Sequence, residues 1–260
     1  MHDIKLGCVR LGNTECFMTE IPPVIARLQD AYGNTLHNLF HISLRHRYLF
    51  VHNPKVGSTT IKHSLNRLEL KGTSMNVHKV PMHPRITESP LIKPFQLPDD
   101  LFETVLTAPG YIRFSFVRDP HARILSCYLD KIAHRRPEAK KIYHKLGMDI
   151  EDMTQDISFA RFIDFLHDTR AERGRWDLHW RPQTHVLRPR LVDYTMLGRM
   201  EQFEQDYDRL NEMMNGRLPA LVKRGKHETQ ARDRVESFYT ADLRRKVAEI
   251  YDRDFELFGY

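Results

Sequence analysis

Long apolar segments are missing from this sequence of 260 residues, and cysteine is scarce. The first residues, MHDIKLGCVRLGNTECF, contain no apolar stretch of the length that a signal peptide or a membrane anchor needs. The three cysteines, Cys8, Cys16 and Cys127, cannot all pair within one chain, and their spacing fits neither a zinc ribbon nor a redox CxxC motif. We therefore expect a protein of the reducing cytoplasm, without a membrane span or a metal site.

The sequence also lacks a Ser/Gly-rich linker, a low-complexity tract and an internal repeat. A chain of this length is long enough for one large domain. The absence of any visible joint therefore predicts a single domain over residues 1–260. Hydrophobic residues make up 41% of the chain and charged residues 28%, and these values favour a globular domain over a disordered chain.

The charge balance is basic, because 40 Lys and Arg residues against 34 Asp and Glu residues give +6. This excess favours an anionic partner, but a solvated basic surface accounts for it equally well. A nucleic-acid binder is one possible function. It is disfavoured because the sequence has no nucleic-acid recognition motif and few aromatic residues among its basic runs.

Two segments each predict a strand, a loop and a helix, in that order. In the first, the apolar run Tyr48–Val51 precedes Asn53-Pro54, and apolar residues then recur at helical spacing from residue 61 to residue 68. In the second, the run IRFSFV at 112–117 precedes Arg118-Asp119-Pro120 and a helical pattern that extends to residue 132. Strands separated by helices indicate an α/β domain with a largely parallel sheet.

Weaker patterns predict the remaining elements. They indicate a third strand at 194–197 and helices at 159–167, 203–214 and 240–258. The last helix should turn these residues inward: Val247, Ile250, Tyr251, Phe255 and Phe258. Closely spaced prolines make residues 77–98 an irregular surface segment, which is a natural place for functional residues. Ligands of such sheets bind beyond the carboxyl ends of the strands, where the two predicted loops should meet.

The first loop, PKVGSTT at 54–60, has phosphate-binding chemistry. Lys55 offers an ammonium group, Gly57 lets backbone N–H groups approach a ligand, and three hydroxyl groups follow at the start of a helix. The loop is not a Walker A motif, because Lys55 precedes the glycine instead of following it. A nucleoside-triphosphate enzyme, such as a kinase, is therefore a less favoured alternative, and no Walker B strand supports it. Ser58 and Thr59 could also serve only as helix caps.

The second loop begins with Arg118 directly after a buried strand, and Ser126 follows on the next helix. Arginine has the side-chain shape that best suits two-pronged contact with a phosphate. Pro120 fits the first turn of a helix, where the missing N–H is of no consequence. In the alternative, Arg118 forms only a structural ion pair with Asp119 or another carboxylate.

Taken together, FVHNPKVGSTT and FSFVRDPHARILSCYLDKI resemble the 5′-phosphosulfate loop and the RDPxxRxxSxY 3′-phosphate element of sulfotransferases that use 3′-phosphoadenosine-5′-phosphosulfate (PAPS). The resemblance implies a P-loop-like, three-layer α/β domain with a central, mostly parallel sheet flanked by helices, and PAPS as co-substrate. It implies that Arg118 and Ser126 bind the 3′-phosphate. It assigns the 5′-phosphosulfate to Pro54, Lys55, Val56, Gly57, Ser58, Thr59 and Thr60.

A third stretch, DLHWRPQTHVLRPRLVDYTMLGRMEQFEQD, resembles a segment of the carbohydrate sulfotransferases related to chondroitin and HNK-1 enzymes, and the ending FELFGY is similar too. The resemblance extends from Tyr48 to Tyr260 and leaves residues 1–45 uncovered. The Golgi relatives carry a cysteine pair where this sequence has Leu187 and Arg190, which agrees with a reducing cytoplasm. A carbohydrate is thus the expected acceptor, although the exact acceptor does not carry over.

Sulfuryl transfer depends on positioning and charge stabilisation. Lys55 would stabilise the leaving phosphate oxygens. A histidine would accept the proton of the acceptor hydroxyl, and we rank His83 first, His78 second and His179 third. Arg181, Arg188 and Arg190 are candidates for binding an acidic acceptor, and Trp176 and Trp180 for stacking on a sugar ring; a solvated face and a core position are the respective alternatives.

Overall fold

The computed structural model describes residues 6–9, 17–76, 80, 89–222 and 231–260. Two strands, β1 (Leu6–Val9) and β2 (Phe17–Glu20), form a small antiparallel sheet. The main sheet has four strands in the order β3 (Phe40–Ser43), β4 (Tyr48–Val51), β5 (Ile112–Val117) and β6 (Met196–Arg199). β4, β5 and β6 are parallel, and β3 pairs with β4 in the antiparallel direction.

Helices connect and flank these strands. Within the described residues, the α-helices are α1 (Pro23–Tyr32), α2 (Leu36–Leu39), α3 (Ser58–Glu69), α4 (Asp99–Thr107), α5 (Pro120–Cys127), α6 (Lys140–Lys145), α7 (Phe159–Asp168), α8 (Gln183–Leu187), α9 (Phe203–Met213), α10 (Ala231–Phe238), α11 (Ala241–Ile250) and α12 (Asp252–Phe258). A π-helical turn, Tyr128–Ile132, continues α5.

The main sheet lies between two helical layers, because successive side chains of a strand point to opposite faces. Tyr48 and Phe50 of β4 share a buried cluster with residues of α3 and α9. Leu49 and Val51 share another with residues of α1 and α4. All four residues are buried, so β4 is a continuous apolar run without polar alternation, as in a covered parallel sheet. The predicted three-layer α/β architecture is confirmed.

Both predicted strand-loop-helix units are present. α3 buries Ile61, Leu65 and Leu68, the residues whose spacing predicted it. α5 starts at Pro120, and the Asp119 side chain caps it by accepting a hydrogen bond of 2.8 Å from the Ala122 N–H. The predicted helix does not stay α-helical up to residue 132, because the backbone changes to the wider π turn after Cys127.

Two predicted elements have different bounds in the structure. The third parallel strand begins at Met196, two residues later than predicted, although the Thr195 N–H already donates to the Arg113 carbonyl at 2.7 Å. The C-terminal helix is divided into α11 and α12 at Tyr251, whose φ of −111° interrupts the helix. Val247, Ile250, Tyr251 and Phe258 are buried as predicted, whereas Phe255 is only half-buried.

A further buried cluster lies under α5, the π turn, α6, α7 and α11. Trp176 and Trp180 belong to it and are only 7% and 3% exposed, so both are core residues and not platforms for a sugar ring. Throughout the described ranges, no helix combines the length and the apolar character needed to cross a membrane.

Candidate active site

The loops that follow β4 and β5 meet at one edge of the sheet, because parallel neighbours end on the same side. The Arg118 guanidinium donates a hydrogen bond of 3.2 Å to the Lys55 carbonyl. The Asn53 side-chain amide donates to the Phe116 carbonyl at 2.9 Å. These contacts fix the two predicted phosphate-binding loops to each other.

The first loop has the backbone that a phosphate loop needs. Lys55 and Gly57 both have positive φ values, of 70° and 73°, and Gly57 directly precedes α3. A Cβ atom at Gly57 would lie 3.0 Å from the Met200 sulfur, so a side chain there would be both strained and crowded. The first N–H groups of a helix have no partner within the helix, and its dipole favours an anion there.

The residues of this loop divide into structural and accessible ones. The Ser58 hydroxyl donates to the Asn53 carbonyl and thereby closes the loop, and the Val56 side chain is fully buried in the core. Pro54 is buried as well, whereas Thr59 and Thr60 are half-buried at the start of α3. The groups of this loop that are left for contact with an anion are the Lys55 side chain, the two threonine hydroxyls and the backbone N–H groups.

Lys55 is already paired with a carboxylate. Its Nζ lies 2.7 Å from Oδ2 of Asp130, which sits on the π turn after α5. Burial alone would raise the Asp130 pKa, but the hydrogen bond and charge of Lys55, together with the charges of Lys131 and His179, hold the pKa below its ordinary value. Asp130 thus stays ionised and orients the ammonium group at the predicted phosphate loop. The position of Asp130 on a π turn agrees with the frequent occurrence of π turns at functional sites.

A buried arginine, Arg123, holds the first loop through hydrogen bonds to backbone carbonyls. Arg123 is 1% exposed and donates hydrogen bonds to the carbonyl oxygens of Pro54 at 3.0 Å, Arg181 at 2.9 Å and Leu178 at 3.1 Å. It therefore joins the first loop to the segment that precedes α8. Burial lowers the Arg123 pKa, and its charge is offset by its surroundings, among them the carboxyl group of Asp254.

Gln183, which is fully buried, fixes the backbone of Arg118. Its Oε1 accepts from the Arg118 N–H at 3.0 Å and from the Asn53 amide at 3.0 Å, and its Nε2 donates to the Arg118 carbonyl at 2.8 Å. The buried carboxylate of Asp254 in turn accepts from the Gln183 N–H at 2.7 Å. Arg118 thus has a rigid main chain, while its guanidinium stays partly accessible. Ser126, on α5, is 4% exposed.

His179 is the candidate base that the structure describes. Its Nδ1 and its backbone N–H lie 2.7 Å and 3.0 Å from Oδ1 of Asp177. An imidazole that donates one ring N–H to a carboxylate keeps the other nitrogen available as a base, which is the geometry of known catalytic His-Asp pairs. A protonated His179 lowers the Asp130 pKa, so the imidazole lies near the carboxylate that pairs with Lys55. His78 and His83 lie outside the described residues.

Comparison with known proteins agrees with this arrangement. The Sulfotransferase family, as a sequence profile, matches residues 38–260.

The chain belongs to the sulfotransferase family.

Several curated relatives carry the name carbohydrate sulfotransferase. Carbohydrate sulfotransferase 10 of Xenopus laevis is 27% identical over 247 residues, which cover 84% of this chain and 66% of the relative. Carbohydrate sulfotransferase 14 of Danio rerio is 27% identical over 261 residues, or 94% and 68% of the two chains. Carbohydrate sulfotransferase 8 of Mus musculus is 24% identical over 83% of this chain and 55% of the relative. This member of the sulfotransferase family thus spans between half and about two thirds of the relatives' length. No solved structure matches it.

The arginines predicted to bind an acidic acceptor are differently placed in this sulfotransferase-family chain. Arg181 donates to the Trp176 carbonyl, with its Nε at 2.8 Å, and Arg188 donates to the Ala31 carbonyl at 3.3 Å. Both guanidinium groups therefore hold backbone, and of the three arginines Arg190 alone is exposed. Within the described part of the chain, no group of three His, Cys, Asp or Glu side chains is placed to hold a metal ion.

The residues that sequence reasoning missed are the ones that support the site. Asn53, Arg123, Asp130, Gln183 and Asp254 make the contacts that shape the two loops. Arg123 lies within the RDPxxRxxSxY element, and Asp130 follows it closely. The pattern therefore contained a signal for these two residues, whereas nothing local marked Gln183 or Asp254.

Proposed function

We propose that this protein transfers a sulfuryl group from PAPS to a hydroxyl group of a carbohydrate. The observation that carries the proposal is the junction of the two loops, in which the Arg118 guanidinium contacts the backbone of Lys55. A 5′-phosphosulfate loop and a 3′-phosphate element must lie side by side to hold one nucleotide that carries both groups. The names of the curated relatives support a carbohydrate acceptor.

The residues present fit the donor. Gly57, with its positive φ and its place before α3, allows the turn of a phosphate loop at a position where a Cβ atom would crowd Met200. In this proposal Lys55, Thr59, Thr60 and the N–H groups of the first turn of α3 hold the 5′-phosphosulfate. Arg118 and Ser126 hold the 3′-phosphate, and Gln183 keeps the Arg118 backbone in place. Pro54, Val56 and Ser58 shape the loop.

When bound, PAPS supplies a sulfuryl group attached to a phosphate leaving group. The acceptor oxygen forms a bond to sulfur while the bond from sulfur to the phosphate oxygen breaks. Lys55 stabilises the negative charge that develops on that oxygen, and this stabilisation is greatest in the transition state. A histidine accepts the proton of the acceptor hydroxyl, with His83, His78 and His179 as the candidates. Lys55 and the loop N–H groups provide the charge compensation that a metal ion provides in kinases.

A binding experiment separates this function from its alternatives. Calorimetry should show that the protein binds adenosine 3′,5′-bisphosphate more tightly than ATP, and a duplex oligonucleotide weakly or not at all. Preference for ATP with Mg²⁺ would instead indicate a kinase, and preference for the duplex a nucleic-acid binder. Transfer of labelled sulfate from PAPS to a panel of glycans, at the same rate with and without EDTA, would establish the reaction and its independence of metal.

The cytoplasmic location also remains a proposal. Its support is the sequence itself, with Leu187 and Arg190 at the positions where Golgi relatives are expected to carry a cysteine pair. Fractionation of cells that produce the protein from its native gene would test this location.

A further inference from the structure

A second group of basic side chains lies at β3, on the other side of β4 from β5. His41 of β3 stands across from Phe50 of β4, and the two rings stack with centroids 5.8 Å apart. The Nζ of Lys93 lies 2.9 Å from Nδ1 of His41. Lys93 is fixed there because its neighbour Ile92 forms a two-way backbone bridge with Ile42, at 2.9 Å in each direction.

The contact between Lys93 and His41 determines which ring nitrogen carries the proton. An ammonium group can only donate hydrogen bonds, so Nδ1 of His41 accepts and the neutral ring has its proton on Nε2. His41 is 7% exposed, and Nε2 is buried without a hydrogen-bond partner among the described residues. A buried donor without an acceptor is unfavourable, so this pair of basic groups lacks a compensating acceptor.

The charges that act on His41 from the described residues are all positive. Burial, followed by the charges of Lys93, His52 and Lys62, lowers the His41 pKa, and burial followed by the charge of Lys62 lowers the Lys93 pKa to about 8. Neither lysine forms an ion pair with any residue of the described ranges, in contrast to Lys55 with its Asp130. Uncompensated like charges of this kind destabilise a fold and are typical of sites that bind an opposite charge.

The strand order places this group where an acceptor must arrive. In the order β3-β4-β5-β6, the phosphate loop follows β4, the proposed 3′-phosphate ligand Arg118 follows β5, and His41 belongs to β3. The nucleotide would therefore extend from the loop towards β5. The β3 side remains for the second substrate. Lys62 is on α3, the helix that begins at the phosphate loop.

We propose that His41, Lys62 and Lys93 form an acceptor subsite that binds an anionic group, a carboxylate or a sulfate ester, of an acidic glycan. This inference rests on the proposed function, because it gives the second substrate its charge. It also gives an acidic acceptor a different binding site from Arg181 and Arg188, each of which donates to a backbone carbonyl.

Three tetrasaccharides titrated into the protein saturated with adenosine 3′,5′-bisphosphate test the subsite by calorimetry. They are unsulfated chondroitin, its carboxyl-reduced neutral form, and the neutral form carrying sulfate esters. We expect a charged tetrasaccharide to bind at least about tenfold more tightly than the neutral one, since charge-assisted hydrogen bonds are the strong ones. The charged form that binds more tightly than the neutral one shows whether the carboxylate or the sulfate ester is recognised.

Lys93→Gln and Lys62→Gln should each remove most of this preference, whereas Lys71→Gln, at an exposed lysine beyond the end of α3, should keep it. All variants should bind the nucleotide as the wild type does, which also shows that they are folded. The subsite is overturned if the wild type binds the nucleotide but shows no preference for a charged tetrasaccharide. It is also overturned if the wild type binds the nucleotide but binds no tetrasaccharide. So does a preference that both glutamine variants retain. Loss of nucleotide recognition in the wild type would instead overturn the proposed function.

Discussion

The Nζ of Lys55 lies 2.7 Å from Oδ2 of Asp130, a residue 75 positions further along the chain. The pair joins the phosphate loop after β4 to the π turn after α5. It orients the ammonium group that the proposed reaction needs, and it also places a negative charge next to the site of an anionic substrate. The two effects oppose each other in binding and can be separated by mutation.

Asp130→Asn should bind adenosine 3′,5′-bisphosphate several-fold more tightly than the wild type while its kcat falls. The tighter binding follows from removal of one negative charge, since two unit charges about 4 Å apart interact by about 1 kcal/mol even in bulk water. The lower kcat follows from a less well oriented Lys55. Calorimetry and steady-state kinetics measure the two effects. Asp156→Asn, which breaks the exposed pair with Arg135, is the matched control. Weaker nucleotide binding with unchanged kcat would contradict the role given to Asp130.

Arg118→Lys should weaken binding of adenosine 3′,5′-bisphosphate while leaving binding of 5′-AMP nearly unchanged. Lysine keeps the charge but loses the planar, two-pronged geometry, and a charge-assisted hydrogen bond contributes about 1.5–3 kcal/mol. Titration calorimetry with both nucleotides gives the difference, and Arg190→Lys, at an exposed position, serves as control. Equal affinity of the wild type for the two nucleotides would refute the 3′-phosphate assignment.

Arg123→Met should lower the free energy of unfolding by several kcal/mol. The substitution leaves the buried carbonyl oxygens of Pro54, Arg181 and Leu178 without their donor, and each unsatisfied buried group costs about 1–3 kcal/mol. Urea unfolding measures the loss. Arg136→Met, at an exposed arginine, should change stability little. A loss of under about 1 kcal/mol at Arg123 would show that the loop does not depend on this side chain.

Lys93→Met should raise the Tm at pH 7, and the gain should shrink as the pH approaches 10. In the folded protein the Lys93 pKa is about 8, below the ordinary 10.5 of the unfolded chain. The folded state therefore binds this proton less well, and the ammonium destabilises it fully below about pH 8. The destabilisation fades between about 8 and 10.5 as the proton is lost. Thermal unfolding at several pH values, with Lys71→Met as control, tests this. An equal Tm gain at pH 7 and pH 10 would contradict it.

His83→Ala should lower kcat strongly and leave nucleotide affinity intact, because His83 lies outside both phosphate elements of the sequence. His78→Ala and His179→Ala are the comparisons, and Asp177→Asn reports on the carboxylate that orients His179. If His179→Ala and Asp177→Asn lose turnover together while His83→Ala keeps it, His179 is the base and the ranking is wrong. Full activity of all three alanine variants at saturating acceptor would exclude a histidine base.

The elements of this protein that depend on local sequence could be predicted from the sequence alone. Tyr48–Val51 is a continuous apolar run because the sheet is covered on both faces, and in Ile112–Val117 only Arg113 and Ser115 interrupt the apolar residues. The loops after these strands carry Lys55, Gly57 and Arg118. β3 escaped prediction because it is a short run of four residues that includes His41. The break at Tyr251 escaped because the apolar spacing continues across it.

The sequence by itself determined the family and the architecture and predicted the two phosphate elements, because these depend on residues that are neighbours in the chain and on patterns that repeat locally. Only the tertiary structure decided the partners of these residues. Asp130 reaches Lys55, Gln183 holds Arg118, and Lys93 reaches His41 across long separations in the chain. The physical reason is that charges and hydrogen bonds act over a few ångströms of space, and the packing of α5, α8 and β3 around the sheet determines which side chains come that close.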